Sequence, residues 1–429
     1  MDLRHRGELK TIAQPVDTEY EVASILAREP DSPMLFEKVR NFGGKVAGNV
    51  YSTRALVAEY LEIPQAEMLG TLSRAISNPE KVGDFERDPK APCFQVTEEP
   101  VSLSTQLPAL VHTRGDAGRY VTAAVFCASD PDFGLNLSFH RMLISPENPR
   151  AAPIRVVPRD LDTYLKRSKG ELEVVATIGN GLGYLFAAAA TVPTGYDELG
   201  IANALESQRL VQARGVDLPV PWDSEYVLEG RIYSERLQKE GPFFDLTLTL
   251  DAVREQPVFE VSAVYHQKDP LYHALLPGFG EHRVLMGLPR EPTIFNEVNR
   301  EVKCLDVRLT DGGGSWLHAV VKISKNGPDD GLKAIHASFR GHPSLKHVVV
   351  VDEDIDISKM EEVEWAIATR FQADKGLVVL KDVTGSSLDP SADRITRKTS
   401  KMGLDATMPS NRNREDFKRW DFEPLHRRE

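Results

Sequence analysis

VVATIGNGLGYLFAAAA, residues 174–190, is the stretch on which the fold turns. An apolar run leads to Gly179, Gly181 and Gly183, and an alanine-rich segment follows. That order reads as strand, tight turn and helix. In a parallel nucleotide-binding sheet, the backbone N–H groups of such a turn face a phosphate. That arrangement wants GxGxxG and an acid on a second parallel strand. Here the spacing differs, and Pro193 and a new helical stretch at Glu198 follow instead. The reading that survives is a strand-to-helix turn, with or without a bound anion.

The flanks on both sides are β-rich. Residues 120–127, 135–144, 226–232, 244–253 and 258–265 read as strands, with a turn at DPDFG, residues 130–134. Their spacing predicts an antiparallel sheet or barrel, interrupted by helices at 159–167 and 183–190. The first hundred residues read as mixed α/β, with helices at 19–28 and 52–61 and strands at 34–39 and 45–50. Pro89, Pro92 and Pro100 then mark a loop-rich passage. After Pro292 the order is helix 293–302, strand 317–323, helix 331–339, and then HVVVV, residues 347–351. Four consecutive valines suit a strand covered on both faces. A helix at 358–370 follows. The domains expected are 1–105, 106–291 and 292–415. Residues 416–429 form a polar arm or helix that docks on another surface, with a solvated tail as the alternative.

Composition excludes several classes. The chain has 429 residues, 41% hydrophobic and 27% charged, which is the balance of a globular protein. A net charge of −12 argues against nucleic acid as partner. No apolar run is long enough to span a bilayer, and MDLRHRGELK lacks the apolar core of a signal peptide. Cys93, Cys127 and Cys304 lie far apart, with neither zinc-site nor disulfide-framework spacing. A cytoplasmic protein is the simplest account.

Four segments carry residues with chemistry. EGPFFD, residues 240–245, sets two carboxylates around a Gly-Pro bend, and residues 246–251 then alternate apolar and polar. A strand there puts Phe244, Leu246, Leu248 and Leu250 on one face and Asp245, Thr247, Thr249 and Asp251 on the other. Alone, it reads as a polar turn entering a half-solvated strand. NLSFHR, residues 136–141, holds Asn136 and Arg141 five apart, which face opposite ways in a regular strand. They serve one site if a bulge lies between them, or if they address different parts of a large ligand. Asp197–Glu198 and Asp160 each open a helical stretch, where an acid usually caps. GFGEHRVLMGLPREP, residues 278–292, reads as a long glycine-bracketed loop carrying His282 and Arg290 toward a substrate.

Taken in order, RGELKTI at Arg6, PMLFEKV at Pro33 and YVTAAVFCASDPDFGLNLSFHR at 120–141 begin a series. DELGIANAL at Asp197, EGPFFD, VVVVDEDIDI at Val348, WAIATR at Trp365 and KMGLDAT at 401–407 complete it. Together they resemble the UbiD-type decarboxylases, which use prenylated FMN. The resemblance implies an α+β multidomain fold: an N-terminal α/β region, a central split β-barrel flavin-binding domain and a C-terminal α/β domain. It implies a catalytic network of Arg141, Glu240 and Asp245, with Glu240 as proton donor. It assigns Asn136, Ser138, Phe139, Arg141, Arg159, Thr191 and Glu198 to the cofactor. A Mn²⁺ or Mg²⁺ ion falls to Asn136, Asp160 and Glu198, with Asp160 standing where the family has His. A K⁺ ion falls near the same Glu, on backbone oxygens of residues 190–192. Phe244 stands where many relatives have Gly. His282 and Arg290 match residues facing substrate in furan-dicarboxylate-decarboxylating relatives.

The activity implied is reversible non-oxidative decarboxylation of an aromatic or heteroaromatic acid of furan, pyrrole or indole type. The alternative within the family is an anhydromevalonate phosphate decarboxylase. Outside that activity stand a NAD(P)-dependent oxidoreductase built on the Gly179 turn and an inactive flavin-binding homologue. The resemblance further implies a flavin prenyltransferase as cofactor supplier and a homodimer or homohexamer.

Overall fold

The computed structural model describes residues 9–418. The chain divides into two compact units, residues 1–292 and 293–429. Arg6 and the tail beyond residue 418 lie outside the described residues.

The first unit is built on a seven-stranded sheet. Its order is Val96–Glu98, Arg254–His266, Tyr226–Glu240, Glu171–Ile178, Val125–Asp130 and Gly134–Phe139, with Ala151–Pro153 also paired to Arg254–His266. Every pairing is antiparallel. The two end strands do not pair with each other, so the sheet is open rather than a closed barrel. Both faces are covered, which explains the unbroken apolar run at 174–178. Val174, Ala176 and Ile178 enter one core with Phe126, Leu228 and Phe259. Val175 enters the other with Leu182, Leu185 and Phe186 of the helix Leu182–Ala189. The central hairpin is longer than its apolar pattern: Tyr226–Glu240 and Arg254–His266 run 15 and 13 residues. Its register slips at Glu229/Gly230, where a Cβ on Gly230 would collide with the carbonyl of Glu260.

The turn at residues 179–183 has no nucleotide-binding topology, because Glu171–Ile178 is antiparallel to both neighbours. The anion at the helix N-terminus is internal. Gly183 N–H donates to Glu206 Oε2 at 2.9 Å, and Tyr60 O–H donates to Oε1. A Cβ on Gly181 would lie 2.6 Å from that carboxylate. The oxidoreductase alternative loses its structural basis here.

Three local expectations are corrected. The strand at 244–253 is a hairpin instead: Phe243–Phe244 pairs with Leu250–Asp251 around a turn in which Leu248 has φ +61°. Leu246 is buried while Leu248 and Leu250 are exposed, so the apolar alternation does not mark one face. The strand at 135–144 breaks at His140-Arg141. Gly134–Phe139 pairs with Val125–Asp130, whereas Met142–Ile144 pairs with Arg119–Val121. The loop at 278–292 is helical: Gly280–Gly287, a 3₁₀ turn Leu288–Arg290, then Glu291–Asn299. Its prolines fall in first helical turns, where the missing N–H costs nothing.

A second sheet of the first unit joins Lys10–Ile12, Met34–Phe36 and Lys45–Gly48 to the distant Leu271–His273. The other unit has a five-stranded mixed sheet, ordered Cys304–Leu309, His318–Ile323, His347–Asp352, Lys398–Asp405 and Leu377–Thr384. The valine strand sits at its centre with parallel partners on both sides and is almost fully buried. Helices Asp330–Gly341 and Met360–Arg370 belong to the same unit.

Candidate active site

Arg141 is the centre of the first cluster. Its Nε and Nη2 grip Glu240 Oε1 and Oε2 at 2.8 and 3.0 Å. Nη1 meets Asp245 Oδ2 at 2.5 Å, and Nη2 meets Asp251 Oδ2 at 2.9 Å. The Glu240 side chain is 0% exposed and that of Arg141 is 9% exposed. Two devices bring this about. The break after Phe139 releases Arg141 from strand alternation. The bend at Gly241, φ +92°, ends the long strand at Glu240 and returns the chain so that Asp245 and Asp251 flank one hairpin. A Cβ on Gly241 would lie 2.9 Å from the carbonyl of Ala252, which demands glycine on both counts.

The charges balance locally. Arg254 pairs with Asp251, and Arg155 Nε lies 3.5 Å from Asp251 Oδ2. Three guanidinium groups thus face three carboxylates. Burial works against the Arg141 charge, but Glu240, Asp245 and Asp251 outweigh it and hold its pKa above the ordinary value. Burial likewise penalises Asp251, yet Arg254 and Arg141 hold its carboxyl below the usual range. Asp251 is a member of the network that sequence reading placed only on a strand face. Its signal was its position six residues after Asp245 across a turn.

The aromatic residues divide between two tasks. Phe243 lies under the Arg141 guanidinium, 4.4 Å from ring centroid to Cζ. Phe244 instead turns toward Gly278, where a Cβ would lie 3.5 Å from its ring. His282 accepts the Gly278 N–H at Nδ1, 3.0 Å, so the proton of the neutral ring sits on Nε2. Burial lowers the His282 pKa and Asp245 opposes that effect, which places the imidazole within electrostatic reach of the Arg141 cluster.

The second cluster gathers around Glu198. Asp197, not Glu198, caps the helix Glu198–Leu205, its Oδ1 accepting Gly200 N–H at 2.8 Å. Glu198 is thereby free to turn inward. Its Oε2 accepts Leu137 N–H at 2.5 Å, and the Asn136 amide lies 3.0 and 3.1 Å from its two oxygens. Burial pushes the Glu198 carboxyl up to about 8, with Asp160 adding to the rise. Asp160 Oδ1 accepts the Thr194 hydroxyl at 2.5 Å. Arg159 Nη1 lies 3.3 Å from Thr191 Oγ1. Arg290 is buried, its pKa lowered by burial and further by the like charge of Arg159. Phe139 packs on the core beside the helix Leu182–Ala189.

A chain of hydrogen bonds fixes the amide of Asn136. His140 is buried neutral, its pKa lowered to about 4 by burial. Its Nδ1 lies 2.8 Å from the Arg155 carbonyl, so Nδ1 carries the proton. Nε2 must then accept the Ser138 hydroxyl, 2.9 Å away. Asn136 Oδ1 lies 3.1 Å from Ser138 Oγ, and Asn136 Nδ2 donates to Glu198 Oε1 and Oε2 at 3.1 and 3.0 Å. The buried Glu198 carboxylate is held by an amide and a backbone N–H, with no positive charge among its hydrogen-bond partners in the described residues, and a cation beside it would offset the cost of burying its charge. A hard divalent ion fits that demand. Among the described residues, no group of three His, Cys, Asp or Glu side chains is set to hold a metal, so Asn136 would have to be one of its donors.

The segment 136–141 thus carries a residue of each cluster, Asn136 on Glu198 and Arg141 on Glu240. Profiles of the 3-octaprenyl-4-hydroxybenzoate carboxy-lyase family match the N-terminal domain over residues 1–76, the Rift-related domain over 86–280 and the C-terminal domain over 283–406. The chain belongs to this family, the UbiD carboxy-lyases. It is 40% identical over 414 residues to the anhydromevalonate phosphate decarboxylase of Methanothermobacter thermautotrophicus, covering 94% of each chain. The UbiD-class enzyme HmfF of Pelotomaculum thermopropionicum, in complex with FMN, superposes with a TM-score of 0.93 at 36% identity, covering 99% of this chain and 96% of that one. An evolved dimeric form of HmfF in complex with prFMN gives 0.89 at 34% identity, covering 100% and 96%. No helix among the described residues is long and apolar enough to cross a membrane.

Proposed function

We propose that this carboxy-lyase removes CO₂, without net oxidation, from a small unsaturated acid carrying a second anionic group, with anhydromevalonate phosphate as the substrate. The observation that carries the activity is the Arg141 fork on a fully buried Glu240, with Asp245 on the same guanidinium. Prenylated FMN, supplied by a flavin prenyltransferase, provides the electron sink for the carbon that loses CO₂. The chain's own residues supply orientation and one proton. While Glu240 is ionised, both its oxygens are engaged by Arg141. Protonating Glu240 releases an arm of the fork, and that arm can meet the substrate carboxylate. Glu240 then delivers its proton to the vacated carbon. Asp245 and Asp251 keep Arg141 charged and in place throughout.

The substrate reading rests on the 40% identity to a named anhydromevalonate phosphate decarboxylase and on the like charges of Arg159 and the buried Arg290, which interact. Like guanidinium charges brought together favour an anion such as phosphate. A heteroaromatic acid is the second reading. It is favoured by Phe243, Phe244 and His282 beside the Arg141 cluster. The test is protein produced with a flavin prenyltransferase and assayed for CO₂ release. Anhydromevalonate phosphate should exceed furan, pyrrole and indole carboxylates by at least ~100-fold in kcat/KM, the scale of one well-used charged contact. The opposite order overturns the substrate, and a chain that takes up no flavin overturns the activity.

Asn136, Glu198 and Asp160 are the donors proposed for Mn²⁺ or Mg²⁺, and the carbonyls at 190–192, at the end of the helix Leu182–Ala189, are those proposed for K⁺. The metal has a stability signature. Glu198 has its folded pKa raised to about 8, above the unfolded value. Between the two values the folded chain holds a proton that the unfolded chain has lost. Stability of metal-free protein should therefore fall as pH rises from about 5 to 8, at up to ~1.4 kcal/mol per pH unit. Mn²⁺ should remove that slope by taking the proton's place. Urea midpoints with EDTA and with Mn²⁺ check this; parallel pH curves would show that the ion does not engage Glu198.

A further inference from the structure

PALVHTRGDAGRY, residues 108–120, contributes no residue to the assignments above, yet it wraps the stretch that carries both acids. Asp116 Oδ1 accepts Phe244 N–H at 2.9 Å. Asp116 Oδ2 accepts the N–H groups of His112 and Thr113, both at 3.0 Å. Ala117 N–H donates to the Pro242 carbonyl at 2.8 Å, and Gly241 N–H donates to the Tyr120 hydroxyl at 3.2 Å. This segment therefore forms one wall of the catalytic hairpin.

His112 is a buried side chain in that wall whose Nδ1 faces the Asp116 carboxylate and whose Nε2 is left without a hydrogen bond among the described residues. It is 1% exposed, and Nδ1 lies 3.4 Å from Asp116 Oδ2, beyond good hydrogen-bond geometry. Neither ring nitrogen has a hydrogen-bond partner among the described residues. Its ring stands edge-to-face on Phe243, centroids 6.0 Å apart, and Phe243 is the ring beneath the Arg141 guanidinium. His112 also contributes to the electrostatic field at His282. A buried imidazole nitrogen left unpaired is costly, so Nε2 calls for a partner that arrives with the ligand.

We propose that His112 is a substrate-binding residue of this site, its Nε2 forming a hydrogen bond with an oxygen of the bound acid while Asp116 orients the ring from the Nδ1 side. The inference rests on the functional reading above, because the ligand is the acid processed there. Asp116 is then a positioning residue, acting through His112 and through the backbone of Phe244.

The experiment uses full-length chain loaded with plain FMN, so that binding is read without turnover. The probe is anhydromevalonate phosphate, followed by the flavin difference spectrum. His112→Phe, which keeps the ring and removes both nitrogens, should raise Kd at least tenfold with the FMN spectrum and melting temperature preserved. His112→Gln, which restores a polar atom near Nε2, should recover part of the affinity. With prenylated cofactor, the same variants should raise KM more than they lower kcat. Equal Kd for wild type and His112→Phe overturns the proposal, as does loss of FMN uptake in both variants, which would make His112 structural. A wild-type chain that takes up flavin yet binds only a heteroaromatic acid overturns the substrate reading alone, and equal Kd of wild type and His112→Phe for that acid then overturns this proposal. A wild-type chain that takes up no flavin removes the functional reading itself, and this inference with it.

Discussion

Glu240→Gln should lower decarboxylation by about 10³-fold, within the 10²–10⁴ range for loss of a general acid or base. The substitution nearly preserves shape. Its amide oxygen can still accept from Arg141 Nε, which meets Glu240 at 2.8 Å in the wild type. Its amide nitrogen, however, carries no proton acidic enough to give to carbon. Flavin uptake and the unfolding midpoint should change little by comparison. Deuterium incorporation from D₂O into the product reads the proton-transfer step directly. Turnover within tenfold of wild type would remove Glu240 from its role. Asp245→Asn should be milder, because Asp245 touches the fork through Nη1 alone and Glu240 retains its two contacts.

Arg141→Met should be the most destabilising single change in the site. It leaves the shielded carboxylates of Glu240, Asp245 and Asp251 with only Arg254 and Arg155 nearby, and both contact Asp251. Removing one partner of a buried ion pair costs roughly 3–5 kcal/mol, since the remaining charge is stranded out of water. A urea titration should show that loss as a lower midpoint. Its pH dependence follows from sign. In the wild type Asp251 has a lowered folded pKa, so its contribution is present above the unfolded carboxylate value and lost as pH falls. In the variant the uncompensated acids favour protonation, so acid restores them. The gap between the two proteins should therefore narrow below about pH 5. A gap that is flat in pH would mean that Arg141 acts by packing on Phe243 rather than by charge. Arg141→Lys keeps the charge and loses the fork, and should fall between the two.

How much of this was legible depends on distance along the chain. The helices at Glu21–Arg28, Asp160–Arg167 and Met360–Arg370 lie within stretches whose own spacing announced them. The valine strand did too, because burial on both faces writes itself as an unbroken apolar run. Leu246 to Leu250 misled for the same reason it was persuasive. Alternation over five residues is common to a strand and to a tight turn, and Leu248 at φ +61° is a conformation no periodicity reports. The helical segment carrying His282 was hidden by its glycines and prolines, which break helices in the interior but are accepted in first turns.

The stretch at residues 174–190 shows where the division falls. By itself the sequence determined strand, turn and helix there, since those depend on neighbours a few residues away. Its resemblance to a family, carried by motifs in order along the chain, also pointed to Arg141, Glu240, Asp245, Asn136 and Glu198 as the residues to follow. Only the tertiary structure decided what the glycine turn faces. Strand pairing across about fifty residues made the sheet antiparallel, and Glu206 supplied the anion. Only it brought Asp251 onto Arg141 and set His112 and Asp116 against the hairpin. Such contacts join segments a hundred residues apart. Each is chosen by which buried charge or N–H group must be satisfied once the core has closed, and local pattern carries no trace of that demand.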